Sequence, residues 1–172
     1  MPKPYYENNS LAHAENKLSC LRDPVLLFAY GFGSGLAPFA PGTFGSLLGV
    51  LLAYGLLAIS AWTLWIATAV ATIAGVPLCG AAARRLQQHD HPSIVWDEIV
   101  GVLLTASLWQ PHAWSGWVAV LVAFRIFDIS KPWPISYLDQ NVKGGVGIVV
   151  DDVVAAVFAA ISLGLLDWQG LI

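Results

Sequence analysis

Two adjacent acidic pairs interrupt an otherwise nearly uncharged set of apolar stretches. They are Asp97-Glu98, in Val-Trp-Asp-Glu-Ile-Val-Gly at 95–101, and Asp151-Asp152, in Val-Val-Asp-Asp-Val-Val-Ala at 149–155. Side-by-side carboxylates among β-branched and aromatic residues are costly unless a cation, an Arg or Lys, or a proton neutralises them. A helix N-terminus would favour one such pair through the macrodipole, by about 0.3–1 kcal/mol. Two pairs, with Asp128 in a third apolar segment, ask for more. The pattern reads as a buried metal site, and a donor set of carboxylates favours a hard ion such as Mg²⁺.

Composition says where such a site would sit. Hydrophobic residues make up 57% of the 172 and charged ones 11%, against about 25% charged in an ordinary soluble protein. Eight Trp and a mean hydropathy of +0.67 point to a membrane. A net charge of −3 with no basic cluster argues against a nucleic-acid partner. Cys20 and Cys79 give no disulfide framework, and the polar first 24 residues contain no secretory apolar core. The predicted fold is all-α: a compact membrane-embedded helical bundle of about five short apolar helices, with an N-terminal interfacial segment. Residues 1–24 read as a polar arm and 25–172 as the embedded domain. The apolar runs are 46–60, 62–83, 98–110, 113–128 and 150–166. Several fall short of the roughly 20 residues of a perpendicular span, which predicts tilt, thinning or partial insertion.

The basic residues orient these runs. Lys3, Lys17, Arg22, Arg84, Arg85, Lys131 and Lys143 precede the first run or lie in the linkers after the second and fourth, and Arg125 sits near the end of the fourth. The other turns and the tail after Leu166 carry no Lys or Arg. The positive-inside rule then predicts a cytoplasmic N-terminus and an outside C-terminus. That threading puts both acidic pairs, Asp128, Lys131 and the glycine-rich stretch 31–46 on the cytoplasmic side. The stretch holds five glycines, two prolines and no charge, so it is not expected to be a helix. Running into a helix start, it can offer backbone N–H groups to a phosphate through Gly33, Ser34, Gly35 and Thr43. A membrane-interface turn with close backbone packing accounts for it equally well. It lacks the ending of a Walker loop.

Between the pairs, Phe-Arg-Ile-Phe-Asp-Ile-Ser-Lys-Pro-Trp-Pro at 124–134 brings Arg125 and Asp128 one helical turn apart, where they can neutralise one another. Lys-Pro-Trp-Pro stops the helix and places Lys131 and Trp133 at the interface, where snorkelling is one account and phosphate binding by Lys131 another. Trp96 is expected at the same headgroup level. His89-Asp90-His91 has neither thiolate nor third His nearby to make zinc the preferred ion, which leaves a proton-shuttling or capping role.

These motifs carry a resemblance. Gly-Phe-Gly-Ser-Gly-Leu-Ala-Pro at 31–38, Pro-Gly-Thr-Phe-Gly-Ser at 41–46, His-Asp-His-Pro-Ser-Ile-Val-Trp-Asp-Glu at 89–98, the 124–134 segment and Gly-Gly-Val-Gly-Ile-Val-Val-Asp-Asp at 144–152 together resemble the phosphatidylglycerophosphatase A family. The likeness runs in order from about residue 24 to the end of the fifth run, with no departure at the charged positions. It implies a Mg²⁺-dependent phosphatase of the bacterial inner membrane. Such an enzyme would convert phosphatidylglycerophosphate in the bilayer to phosphatidylglycerol and phosphate. The candidate catalytic residues are Asp97, Glu98, Asp128, Asp151, Asp152, Lys131 and His89. Glu98, Asp128 and Asp152 are the leading metal ligands, with Asp97 and Asp151 beside them. Gly33, Ser34, Gly35, Thr43, Arg125 and Lys131 are the phosphate-binding candidates.

Other phosphatase chemistries fit less well. Cys79 and Arg85 match a Cys-x5-Arg loop only formally, since they lie in an Ala-rich apolar run. The signatures of phosphohistidine lipid phosphatases, of aspartyl-phosphate enzymes and of CDP-alcohol phosphotransferases are missing. Metal-assisted attack of water on phosphorus is preferred by elimination, with a phospho-aspartate intermediate left open. The competing class is a small ion-binding or transport protein, because intramembrane carboxylates also mark ion pathways.

Overall fold

A computed structural model describes residues 22–88 and 91–171. The polar arm lies outside them up to residue 21, and so does His89. The chain forms α1 (Pro24–Ala29), a 3-10 turn (Gly31–Leu36), α2 (Pro41–Ile59), α3 (Ala61–Leu86), α4 (Trp96–Trp109), α5 (Trp114–Ser130), α6 (Ile135–Asn141) and α7 (Gly144–Trp168). There is no strand among the described residues. The five long helices correspond to the five apolar runs.

The clearest difference from expectation is at the glycine-rich stretch. Its second half is the first turn and a half of α2. Pro41 stands at the first helical position, where its fixed φ is an advantage and its missing N–H costs nothing. Gly42, Gly45, Ser46, Gly49 and Ala53 then form a buried small-residue stripe. An added Cβ at Gly49 would come within 3.0 Å of Val102 and 3.3 Å of Ile99, so the glycines let the α2 backbone lie directly on α4. Low propensity is outweighed by packing.

Ser60 alone joins α2 to α3, its hydroxyl accepting from the Thr63 amide at 3.0 Å. Central α4 packs against α2, α3, α5 and α7, and Ile99 through Leu103 are all buried, as a helix enclosed on every side requires. On α7, Ala155, Ala156, Ala159 and Ala160 are buried, and Thr105 Oγ1 of α4 donates to the Ala156 carbonyl at 3.5 Å. Thr68 and Ser107 share a buried hydrogen bond of 3.0 Å between α3 and α4.

Three helices, α2, α3 and α7, are long and apolar enough to cross a membrane. The 14-residue α4 is only about 21 Å long at 1.5 Å per residue and rests inside the others. Large apolar side chains face outward along the bundle, among them Leu51, Ile66, Val70, Ile73, Val118 and Ile161. At one end, the starts of α2 and α4, the end of α5, α6 and the first turns of α7 converge on a polar cleft.

Candidate active site

The cleft has a volume of about 280 Å³ and is lined by six carboxylates and two cations, a formal excess of four negative charges. The acids are Asp97, Glu98, Asp128, Asp139, Asp151 and Asp152, and the bases are Arg125 and Lys131. Both pairs, Asp128 and both expected cations therefore meet in one place.

The two pairs arrive differently. Asp97 and Glu98 occupy the first turn of α4, so the helix dipole contributes to their placement. Asp151 and Asp152 lie in the third turn of α7, beyond its reach, and both are buried. Neighbouring residues on a helix project about 100° apart, and the second pair divides accordingly. Asp152 joins Asp97 and Glu98, and one carboxylate oxygen from each lies within 4.8 Å of the others. Asp151 turns toward Lys131, whose Nζ donates to Asp151 Oδ2 at 2.7 Å and to Asp139 Oδ1 at 2.6 Å. Asp128 pairs with Arg125 on its own helix, and Arg125 also stands 3.8 Å from Glu98 Oε1.

Asp97, Glu98 and Asp152 thus form the group best suited to a cation. Their donors are hard oxygens from two helices, and buried Glu98 Oε2 has no hydrogen-bond partner. Asp128 and Asp151, both read from sequence as ligands, stand next to this group with Arg125 and Lys131 respectively as their close partners. Burial works against the Lys131 charge, but the hydrogen bonds and charges of Asp139 and Asp151 outweigh it and raise the pKa above the usual lysine value.

The glycine-rich loop meets the cleft at one end only. Gly33, Ser34, Gly35 and Thr43 do not line the cleft, which the loop reaches through Ala40, Pro41 and Gly42 instead. Ser34 Oγ donates to the Tyr30 carbonyl, and a Cβ at Gly35 would strike the Ser93 backbone. A Cβ at Gly42 would strike Glu98 and Arg125, which makes this glycine the close approach the site requires. Trp96 is half-buried, its Nε1 donating to the Ala71 carbonyl. Trp133, in contrast, is 78% exposed. Cys79 lies buried within α3 and Arg85 pairs with Asp23, so they build no phosphate loop. Asp139 is a cleft residue that sequence reasoning misses, since only its position eight residues after Lys131 hints at a role.

A cleft of this kind can hold a divalent cation beside a phosphate group, with Arg125 and Lys131 as cationic donors in the same cleft. The family of phosphatidylglycerophosphatase A matches residues 27–167. An Escherichia coli phosphatidylglycerophosphatase A is 44% identical over 151 residues, 87% of this chain and 86% of the relative. Its Haemophilus influenzae counterpart is also 44% identical, over 90% of this chain and 93% of its own. A Bacteroides thetaiotaomicron protein named, provisionally, a phosphatidylinositol-3-phosphatase is 39% identical over 84% of this chain and 94% of its own. No solved structure matches the chain. The family match and two relatives at this identity, spanning nearly the whole length of each, make the chain an enzyme and a member of the phosphatidylglycerophosphatase A family.

Proposed function

We propose that the protein is a Mg²⁺-dependent phosphatase of the bacterial inner membrane, which hydrolyses phosphatidylglycerophosphate to phosphatidylglycerol and phosphate from the cytoplasmic side. The observation that carries the reading is the group of three carboxylates, Asp97, Glu98 and Asp152, in a cleft with a formal excess of four negative charges. A phosphate monoester would be repelled from such a cleft unless a cation neutralised it.

Asp97, Glu98 and Asp152 would hold Mg²⁺, which when bound supplies positive charge to the phosphoryl oxygens and to an attacking water. Arg125, beside Glu98, donates to the oxygens of the phosphate that is cleaved, and Lys131 supplies a second cation to the anionic headgroup. Water attacks phosphorus, and the bond between phosphorus and the glycerol oxygen breaks. A carboxylate of the cleft takes the water's proton and returns it to the departing glycerol oxygen, which leaves as the hydroxyl. The outward apolar faces of α2, α3 and α7 set the bundle in lipid. Phe39 and Trp133, 72% and 78% exposed, mark the headgroup level beside the cleft.

Purified protein in detergent micelles should release phosphate from phosphatidylglycerophosphate only when Mg²⁺ is present, and far faster than from water-soluble glycerol phosphate. Equal efficiency on both would remove the lipid from the reading, and undiminished turnover in EDTA would remove the metal. A phosphatidylinositol-3-phosphate arm tests the headgroup named for the Bacteroides relative.

A further inference from the structure

We infer that the cleft has two separate phosphate stations, Arg125 beside the three-carboxylate group for the monoester that is cleaved, and Lys131, held by Asp139 and Asp151, for a phosphodiester one glycerol away. The inference rests on the lipid-phosphatase reading and deepens it, because it names what distinguishes the substrate headgroup.

The two cations occupy different parts of the cleft. Arg125 Nη1 is 3.8 Å from Glu98 Oε1, against the proposed metal group. The carboxylates bonded to Lys131, Asp139 and Asp151, are both outside that group. The residues are six apart, about 9 Å along a helix axis, and Lys131 ends α5 where the chain turns into the largely exposed α6. A guanidinium matches a doubly charged monoester by its fork of donors, and an ammonium acts as a point charge suited to a singly charged diester. An ammonium has three donors. Two are engaged at 2.6 and 2.7 Å, which fixes the head between α6 and α7 and leaves one N–H for a ligand. Asp139 is thus a positioning residue, acting through Lys131.

The two products separate the stations, since orthophosphate carries no diester and phosphatidylglycerol carries no monoester. Equilibrium dissociation constants for each would be measured with Mg²⁺-loaded protein in micelles of a neutral detergent. Lys131→Met should weaken phosphatidylglycerol binding at least tenfold and leave orthophosphate within twofold, whereas Arg125→Lys should do the reverse. Asp139→Asn should weaken phosphatidylglycerol several-fold in the wild-type background and add nothing to Lys131→Met. Lys131→Gln supplies the same comparison if the methionine variant does not fold. Equal weakening of both products, or unchanged phosphatidylglycerol binding, overturns the assignment. Wild-type protein that fails to hydrolyse phosphatidylglycerophosphate would instead overturn the substrate reading itself, whatever the two constants show.

Discussion

Trp96 Nε1 donates to the Ala71 carbonyl at 3.0 Å, and this bond ties the first turn of α4 to the middle of α3. Trp96 immediately precedes Asp97 and Glu98, so an indole anchored in the neighbouring helix fixes where both carboxylates enter the cleft. The fit is tight: a Cβ at Gly75 would come within 2.9 Å of its ring. Trp96→Phe keeps an aromatic ring and deletes the donor. The lost bond should cost about 1 kcal/mol, or about 2–4 °C of melting temperature. Turnover should fall by more than the folded fraction does. Melting in detergent and turnover, measured on the same preparation, check this. Unchanged turnover would show that the acids are set without the indole.

Two glycines separate packing from chemistry. At Gly101 an added Cβ would run into the Phe124 ring, and neither residue lines the cleft. Gly101→Ala should therefore lower stability by about 1–3 kcal/mol through overpacking. Phe124→Leu should restore part of that loss, since the two sites share one contact. Gly42→Ala meets Glu98 and Arg125 instead, and should reduce turnover at least tenfold with a smaller change in melting. The thermal and kinetic data for these three variants decide it. Parallel losses of stability and turnover in Gly42→Ala would make that glycine a packing residue only.

How much of this architecture is legible in the sequence follows from the physics of each signal. Paired carboxylates in apolar frames are so costly that their gathering can be inferred from the residues alone, and the helices between them follow from uninterrupted apolar runs. The glycine-rich stretch misleads because local propensity argues against a helix there, while the stripe from Gly42 to Ala53 only makes sense once α4 lies against it. The anchoring of Trp96 is not legible either, since nothing local reveals a carbonyl acceptor 25 residues earlier. Asp139 sits on a largely exposed seven-residue helix and looks like an ordinary surface acid until Lys131 is found against it. Which member of the second pair faces the metal group is likewise open in the sequence, because it depends on the rotation of α7.

The orientation of the bundle is testable without purified enzyme. The Lys/Arg distribution predicts a cytoplasmic cleft end, which is the side the proposed function requires. A reporter active only in the periplasm should be active when fused after Ile172 and silent when fused after Gln88. The opposite pattern would turn the cleft away from its proposed substrate.

The metal assignment can be divided between two adjacent residues. Asp152 stands with Asp97 and Glu98, whereas Asp151 is held by Lys131. Asp152→Asn and Glu98→Gln therefore remove charge from the proposed Mg²⁺ site. They also relieve repulsion in its absence, so the metal-free proteins should melt at or above the wild-type temperature while turnover is lost. Mg²⁺ at one hundred times its dissociation constant stabilises a protein that binds it only when folded by about 2.7 kcal/mol, and that increment should vanish in both variants. Asp151→Asn should behave differently. It leaves Lys131 with Asp139 alone, so turnover should fall while most of the Mg²⁺-induced rise in melting temperature remains. The measurement is melting temperature with and without Mg²⁺, beside turnover, for all three variants. Near-normal turnover in Glu98→Gln and Asp152→Asn would reduce the acids to helix-end and packing roles. Loss of the Mg²⁺ increment in Asp151→Asn as well would mean that the ion spans both members of the pair, taking Asp151 through Oδ1, which is buried without a hydrogen-bond partner while Oδ2 accepts from Lys131.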